Sequence, residues 1–310
     1  MKITETPKLV SKNGLSLTIG TFDGVHIGHQ KILNHLNKLA VKENLTSTVL
    51  TLFPHPRMVL KKDDSIKLLN TIEERIEIIK SYGIENVIVK EFTKEFSALS
   101  AEDYVKTILV NELNTKQIVI GYDHHFGKNR TANINDLKKF SETYNFKVEE
   151  IPAQDIEDVT VSSTKIRKAL NLGDIGTANA YLGYNFFISG RVIKGKGIGR
   201  TLDFPTANIY VKESYKLIPS DGVYVVKSKI EGSTIYGMMN IGTNPTLDGK
   251  LRSIEVHFFE YNRDLYEKDL KIEFLHWLRN EKKFENLEAL KNQLNKDMAN
   301  ALAYINKIDE

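Results

Sequence analysis

In the first half of the chain, short apolar stretches typical of β-strands alternate with longer stretches that have the apolar spacing of helices. Short apolar, β-prone runs predict five strands, at residues 15–19, 47–53, 86–90, 116–120 and 146–149. Apolar residues at helical spacing predict the helices between them, at 28–42, 71–82, 100–111 and 133–143. Because strands and helices alternate, the pattern predicts an α/β domain with a parallel sheet and helices on both faces.

The second half of the chain has a different pattern. Two short helical stretches, at 164–171 and 175–182, precede β-prone stretches separated by Gly, Asn and Asp turns. The strands are predicted at 186–193, 207–211, 222–230, 233–241, 254–259 and 269–274. Such strands favour a small antiparallel β-barrel, and helical spacing over 287–308 predicts a helix that closes it. We therefore expect a domain boundary near Tyr184, with domains at residues 1–183 and 184–310.

Length and composition agree with this division. A chain of 310 residues, of which 41% are hydrophobic, is long enough to form two cores. The net charge of +3 is too small to imply a nucleic-acid partner. Since the chain has no cysteine, disulfides, thiolate metal sites and a cysteine nucleophile are excluded.

The first residues, MKITETPKLV, lack the apolar core of a signal peptide. No run of the chain approaches the ~18 apolar residues of a membrane span. We therefore expect a soluble, cytoplasmic protein that has no membrane partner.

The segment GTFDGVHIGH, residues 20–29, joins the first predicted strand to the first predicted helix. Free N–H groups and the helix dipole at such a corner favour a phosphate or another anion. Gly20, Gly24 and Gly28 would let the backbone approach that anion closely. His26 and His29 can donate hydrogen bonds to phosphoryl oxygens. A tight turn with two exposed histidines is the alternative, but the flanking strand, the glycines and the helix favour a functional site.

Three other motifs follow predicted strands of the sheet: TLFPHP at 51–56, GYDHHFGKNR at 121–130 and VSSTKIR at 161–167. Ligands of parallel sheets bind at the carboxyl ends of the strands, so one crevice could contain all of these motifs. The hydroxyls before Lys165 and Arg167 suit an anion, although an ordinary capped helix explains them too. His55, between two prolines, is held stiffly, or is a surface imidazole in a rigid loop.

In the predicted barrel, the candidate chemistry lies in GKGIGRTLDFPTAN, residues 195–208. Its glycines and cations suit a polyphosphate, and a flexible basic hairpin is the alternative. The residues concerned are Gly195, Lys196, Gly197, Gly199 and Arg200. The loop is not a Walker A sequence, because an arginine follows the last glycine and a strand comes next.

Thr206 and Asn208 are two positions apart on a predicted strand, so their side chains share a face. Their oxygens are hard ligands that suit Mg²⁺ carrying nucleotide phosphates. Glu255, on a later strand, would supply a carboxylate base. Taken alone, it is better explained as a solvated side chain or a member of an ion pair.

Eight motifs, taken in order, resemble the bacterial bifunctional riboflavin kinases/FAD synthetases. They are GTFDGVHIGHQ, TLFPHP, GYD, VSSTKIR, GRTLDFPTAN, PSDGVYVV, MMNIGTNPT and DLYEKDLKIEFLHWLRNEKKF. The resemblance implies a Rossmann-like FMN adenylyltransferase domain with an HxGH motif, followed by a riboflavin kinase barrel. The barrel would convert riboflavin and ATP to FMN and ADP. The first domain would convert FMN and ATP to FAD and pyrophosphate.

For the adenylyltransferase domain, the resemblance implies that His26 and His29 act on the phosphates of ATP. It assigns residues that shape or line the ATP and FMN crevice: Phe22, Asp23, Gly24, His55, Asp123, Ser163, Thr164 and Arg167. We count Arg167 with the two histidines as catalytic. In-line attack by the FMN phosphate needs positioning and charge stabilisation more than a covalent nucleophile.

For the kinase barrel, the resemblance assigns Thr206 and Asn208 to Mg²⁺ and ATP. Glu255 corresponds to the base that takes the proton of the ribityl 5′-hydroxyl. Arg279 lies in the stretch associated with the flavin and a mobile flap. Riboflavin, FMN and ATP would be the only partners, and the oligomeric state stays open.

At three positions the chain departs from the family pattern. His124 replaces a phenylalanine, while Asp203 and Glu267 each replace a glycine. His124 would alter stacking with the flavin or the adenine. Asp203 would slow the kinase or recruit a cation, and Glu267 would change only a turn.

Two other functions are compatible with parts of the sequence. A zinc hydrolase would use His26, His29, His55 and His124 as ligands, but no carboxylate-rich motif accompanies them. A non-catalytic sensor of flavin, nucleotide or RNA is the second alternative. The intact candidate catalytic residues of both domains argue against it.

Overall fold

The computed structural model describes residues 13–60, 65–121, 124–151, 161–195, 198–246 and 249–309. The chain divides into two compact units, Met1–Ser163 and Thr164–Glu310. This division assigns the two short helices before Tyr184 to the second unit, whereas the sequence-based boundary assigns them to the first domain. That boundary remains a prediction.

A parallel sheet with strand order β3-β2-β1-β4-β5 forms the first unit. Its strands are β1 (Leu15–Gly20), β2 (Thr46–Phe53), β3 (Asn86–Glu91), β4 (Thr115–Gly121) and β5 (Lys147–Ile151). The strand order reverses at β1, which pairs with both β2 and β4. Ligands in such sheets bind at the carboxyl ends of the strands on either side of this point. The segment that follows β1 is the predicted phosphate turn.

Helices connect these strands. They are α1 (Ile27–Glu43), α2 (Pro56–Leu60), α3 (Ile72–Ser81), α4 (Lys94–Ser97), α5 (Ala101–Asp103), which continues as a π-helix over Tyr104–Glu112, and α6 (Ile134–Tyr144). A capping box formed by Thr71 and Glu74 starts α3, and Asn133 with Asp136 forms another for α6. The predicted helices are confirmed. The short α2 and α4 were not predicted, because four or five residues are too few to show a helical period.

Strand β1 is buried on both faces, although apolar and polar residues alternate along it. Leu15 and Leu17 are almost fully buried in the core beside Leu50 of β2 and Ile118 of β4. Ser16 and Thr18, which alternate with these leucines, are 0% and 1% exposed, as expected for a central strand that is covered on both faces.

Helix α7 (Ser163–Asn171) starts at the last residue of the first unit, and α8 (Ile175–Leu182) lies within the second unit. A closed antiparallel barrel follows, with strand order β10-β7-β6-β11-β8-β9. Its strands are β6 (Phe187–Ile193), β7 (Ala207–Tyr210), β8 (Gly222–Ile230), β9 (Ser233–Thr246), β10 (Gly249–Phe258) and β11 (Asp269–Arg279). The short helix α9 (Ile198–Thr201) precedes β7, and α10 (Leu287–Asp309) ends the unit. The predicted barrel and its closing helix are confirmed, although β9, β10 and β11 are longer than predicted.

The closing helix α10 packs against the barrel through a small apolar cluster. Ala301 and Ile305 of α10 are buried with Val225 of β8 and Leu275 of β11. Within the described ranges, no helix is long and apolar enough to cross a membrane.

Candidate active sites

The turn after β1, residues 21–25, has an unusual backbone. Phe22, Gly24 and Val25 have positive φ angles of 47°, 85° and 36°. Gly24 adopts such an angle without steric cost, whereas Phe22 and Val25 are strained by it. Gly20 and Gly28, which we expected to share this freedom, do not have positive φ. Strained turns of this kind concentrate at functional sites, where the surrounding structure must hold them.

Asp23 anchors this turn from within. Its side chain is 1% exposed and accepts hydrogen bonds from the N–H groups of Leu69, at 2.9 Å, and Asn70, at 3.4 Å. Asn70 Oδ1 in turn accepts a bond from Gly24 N at 2.9 Å. Asn70 was not predicted as part of this site, because no local sequence pattern marks a hydrogen-bond partner so far along the chain. Asp23 and Asn70 thus fix the shape of the turn from within.

His26 and His29 stand together where α1 begins. Their rings are stacked, with centroids 3.7 Å apart and an interplanar angle of 14°. His26 caps α1, and its Nδ1 accepts a hydrogen bond from His29 N at 3.4 Å. An accepting Nδ1 places the proton of neutral His26 on Nε2. In the described part of the chain, the buried Nδ1 of His29 has no hydrogen-bond partner.

Both histidines are neutral near pH 7. Burial lowers the pKa of His26 to about 4, although the nearby charge of Asp23 opposes this shift. Burial also holds the pKa of His29 well below its ordinary value, and His26 and Arg75 add to the effect. The pair therefore offers ring N–H donors to a phosphate without carrying a permanent charge.

The other predicted residues of this site occupy several elements. Ser163 Oγ donates to the Asp23 carbonyl oxygen at 2.9 Å, so it supports the same turn. His55 follows β2, and its Nδ1 accepts from Arg57 N at 3.2 Å. Thr164 and Arg167 lie further along α7, within the second unit. Asp123 lies outside the described residues. His124 stacks on Phe126, with centroids 6.1 Å apart.

In the barrel, strand register brings the predicted kinase residues together. Glu255 of β10 pairs with Asn208 of β7, and Thr206 Oγ1 donates to Glu255 Oε2 at 3.3 Å. The three side chains share one face of the strand pair, and the spacing had predicted this for Thr206 and Asn208. Glu255 is partly buried and hydrogen-bonded. It is therefore not simply a solvated surface carboxylate.

The glycine loop before β7 passes directly over this face. A Cβ on Gly195 would overlap the side chain of Asn208, and one on Gly199 would overlap the carbonyl oxygen of Phe204. Both positions therefore need glycine for close approach. Arg200 Nη2 donates to Tyr266 Oη at 3.4 Å. Lys196 and Gly197 lie outside the described residues.

A cavity of about 420 Å³ opens beside this loop. Arg200, Pro205, Thr206, Phe258, Tyr261 and Tyr266 are among its lining residues. Its size lies in the ordinary range for small-molecule sites. The buried Tyr261 hydroxyl has no hydrogen-bond partner among the residues that the structure describes.

Arg279 makes a salt bridge to the closing helix. Its Nε donates to both carboxylate oxygens of Asp297 at 2.9 Å, and its Nη2 donates to Asp297 Oδ2 at 2.6 Å. Asp297 is 2% exposed. The guanidinium thus joins β11 to α10, and its expected role at the flavin remains a prediction.

Asp203 and Glu267, which replace glycines of the family pattern, have positive φ angles of 67° and 63°. This explains why glycine suits both positions. The Asp203 carboxylate accepts a hydrogen bond from Lys291 Nζ of α10 at 2.6 Å. The Asp203 carboxylate thus pairs with a lysine of the same chain, and its expected effect on the kinase stays a prediction.

The zinc-hydrolase alternative gains no support from the histidines. Across the described ranges, no group of three or more His, Cys, Asp or Glu side chains is arranged to hold a metal ion. Stacked and mostly buried, His26 and His29 suit hydrogen bonding to an anion instead.

Comparisons with known proteins agree with the two sites. A family model described as FAD synthetase matches residues 9–165, and one described as riboflavin kinase matches residues 182–305. These define the class: a flavin nucleotidyltransferase domain joined to a flavin kinase domain. Two curated relatives are named bifunctional riboflavin kinase/FMN adenylyltransferase. The Buchnera aphidicola protein (subsp. Schizaphis graminum) is 40% identical over 97% of both chains, and the Bacillus subtilis protein is 36% identical over 94% of this chain and 93% of its own.

A solved structure also has this architecture. A Streptococcus pneumoniae chain titled macrolide-efflux protein superposes with a TM-score of 0.83, at 31% identity over 92% of this chain and 93% of its own. The chain belongs to the bifunctional riboflavin kinase/FMN adenylyltransferase family. It phosphorylates riboflavin to FMN and transfers an adenylyl group from ATP to FMN, giving FAD.

Proposed function

We propose that the 21–25 turn and the histidines after it form the centre of adenylyl transfer. The observation that carries this proposal is the stacked, neutral pair of His26 and His29 at the first turn of α1. A helix N-terminus already favours a phosphate, and two ring N–H groups add donors at the same place. The buried Nδ1 of His29, which lacks a partner in the described part of the chain, is a polar atom suited to a ligand.

In the proposed reaction, a phosphate oxygen of FMN attacks the α-phosphorus of ATP, and the bond to pyrophosphate breaks. Negative charge grows on the oxygens around phosphorus in the transition state. His26 and His29 stabilise that charge as preorganised hydrogen-bond donors, and Arg167 supplies a positive charge. Because the groups act by positioning and electrostatics, no covalent intermediate on the protein is required.

For the kinase, we propose that Glu255 accepts the proton of the riboflavin 5′-hydroxyl. The freed oxygen attacks the γ-phosphorus of ATP, and ADP leaves. The hydroxyl of Thr206, 3.3 Å from Glu255, orients the carboxylate. General-base help of this kind is typically worth ~10² to 10⁴ in rate.

We further propose that Thr206 and Asn208 hold Mg²⁺. Their hydroxyl and amide oxygens lie on one face beside Glu255, which is a donor set that suits this ion. When bound, Mg²⁺ would neutralise charge on the phosphates of ATP. The glycine loop and the neighbouring cavity would contain the nucleotide itself.

The setting that fits these reactions is the cytoplasm, because both consume ATP. Riboflavin, FMN and ATP suffice as partners, and neither nucleic acid nor a membrane is required. Cell fractionation with an antibody against the chain would test the location.

The adenylyl-transfer proposal is tested by supplying FMN and ATP directly, which bypasses the kinase. The His29→Gln variant should form FAD at least 100-fold more slowly than the unchanged protein, because an oxyanion donor is worth about 10² to 10³ in kcat. Quantitative chromatography of FAD gives the rate. A variant with the unchanged rate would contradict the proposal.

A further inference from the structure

Arg75 of α3 is a buried arginine behind the 21–25 turn. Its side chain is 1% exposed, and it is among the largest fully buried side chains of the described residues. A buried cation is costly to desolvate, and pairing it recovers little net stability. Stability alone therefore gives a poor account of why a guanidinium occupies this position.

The guanidinium of Arg75 holds the turn at two of its residues, Thr21 and Asp23. Its Nη2 lies 3.8 Å from Asp23 Oδ1, and the two groups form a buried ion pair. Its Nη1 donates to Thr51 Oγ1 at 3.3 Å. Thr51 Oγ1 donates in turn to the carbonyl oxygen of Thr21 at 3.1 Å. One side chain thus fixes Asp23 directly and Thr21 through Thr51.

The turn that these contacts hold has a strained backbone. Phe22 and Val25 have positive φ angles of 47° and 36°, which side-chain-bearing residues rarely adopt. His26 follows Val25 directly and begins α1 as its N-cap. Any relaxation of the turn would therefore move His26, and with it the ring of His29 that stacks on it.

We propose that Arg75 is a positioning residue for adenylyl transfer, which holds the 21–25 turn through Asp23 and Thr51 so that His26 and His29 keep their reactive arrangement. The inference rests on the proposed role of the two histidines. The Arg75 charge also helps to hold the pKa of His29 below its ordinary value, which keeps that ring neutral.

The test compares Arg75→Met with Arg75→Lys and Thr51→Val in the full chain. Arg75→Met should lower kcat for FAD formation from FMN about 10- to 100-fold, because small displacements of catalytic groups cost that much. Thr51→Val, which removes one hydroxyl, should lower kcat about three- to tenfold. In each variant, KM for ATP and FMN should change less than threefold. Arg75→Lys keeps the positive charge but loses the planar guanidinium with its several N–H donors. Its kcat should therefore lie between those of Arg75→Met and the unchanged protein.

Three controls accompany these variants. Lys80→Met removes an exposed cation from the same helix and should behave as the unchanged protein. The riboflavin kinase rate, measured on the same samples, should stay within twofold. Circular dichroism on heating shows whether the first unit is folded at the assay temperature.

Other results of these assays would contradict the positioning role. A folded Arg75→Met or Thr51→Val with unchanged kcat would overturn the positioning role, as would a rise in KM with kcat unchanged. If Arg75→Met unfolds the first unit, the kcat of Thr51→Val is the result that tests the positioning role. The His29→Gln variant separates the two proposals. If His29→Gln forms FAD slowly while Arg75→Met forms it at the unchanged rate, only the positioning role of Arg75 is contradicted. If His29→Gln itself forms FAD at the unchanged rate, the proposed role of the two histidines is contradicted.

Discussion

The rings of His26 and His29 stack 3.7 Å apart at the start of α1, and both are neutral near pH 7. Two cationic imidazoles at this separation would repel each other strongly. Neutrality is therefore what allows the pair to lie side by side and to present donors to a phosphate. It also makes the first unit sensitive to acid.

Acidification should destabilise the protein through His26. The folded pKa is about 4, whereas an unfolded histidine has a pKa of about 6.5. Between these values the unfolded chain binds a proton that the folded chain does not, so stability falls as pH drops from about 6.5 to about 4. The full effect is roughly 3 kcal/mol. Urea unfolding at several pH values should show a smaller decrease for His26→Gln; an equal decrease would contradict the account.

The Arg279–Asp297 pair should contribute strongly to the docking of α10. Asp297 is 2% exposed, so Arg279→Met leaves a buried carboxylate without its cation. The expected loss is about 3 to 5 kcal/mol of unfolding free energy. The matched control is Arg191→Met, which breaks the exposed pair with Asp269 and should cost at most about 1 kcal/mol. Equal losses in chemical denaturation would show that burial of the pair has no bearing on its strength.

Glu267→Gly should stabilise the barrel, although glycine usually destabilises. Glu267 has a φ of 63°, a conformation that costs a side-chain-bearing residue about 1 to 2 kcal/mol. Glycine removes that cost, and its greater freedom in the unfolded chain offsets part of the gain. Glu285→Gly, at an exposed position that lacks a positive φ, should instead destabilise. Thermal unfolding should therefore shift in opposite directions, and shifts of the same sign would be evidence against strain at Glu267.

Gly195→Ala should impair the kinase and leave FAD formation from FMN unchanged. The new Cβ would overlap the side chain of Asn208, so the loop or Asn208 has to move. Gly176→Ala is the control, because its Cβ would meet only Asp174 Oδ1 at 3.9 Å. Kinase assays should show a loss of at least tenfold for Gly195→Ala alone, as expected when a catalytic group is displaced. Equal kinase rates in the two variants would mean that the loop does not position Asn208.

Local patterns in the sequence predicted the architecture well, because each long element carries its own period. The short β-prone stretch of β1 and the helical spacing of α1 are signals that a single segment contains. Strand alternation predicted that Thr206 and Asn208 share a face, whereas the pairing of Asn208 with Glu255 became visible only in the structure.

What the sequence could not predict are contacts between distant segments. Asn70 and Arg75 hold the 21–25 turn across long loops, and nothing in their local sequence marks them. The partnership of Arg279 with Asp297 was likewise hidden, because only the docking of α10 brings them together. The positive φ of Phe22 and Val25 was also unexpected, since glycine was the natural candidate for such angles.

The central claim is that one chain carries two separate sites, with His29 at one and Glu255 at the other. Riboflavin, ATP and Mg²⁺ are supplied to each variant, and the flavin products are separated by chromatography. His29→Ala should accumulate FMN without FAD, whereas Glu255→Ala should form neither product from riboflavin yet convert added FMN to FAD. Loss of both activities in both folded variants would contradict the assignment of two sites.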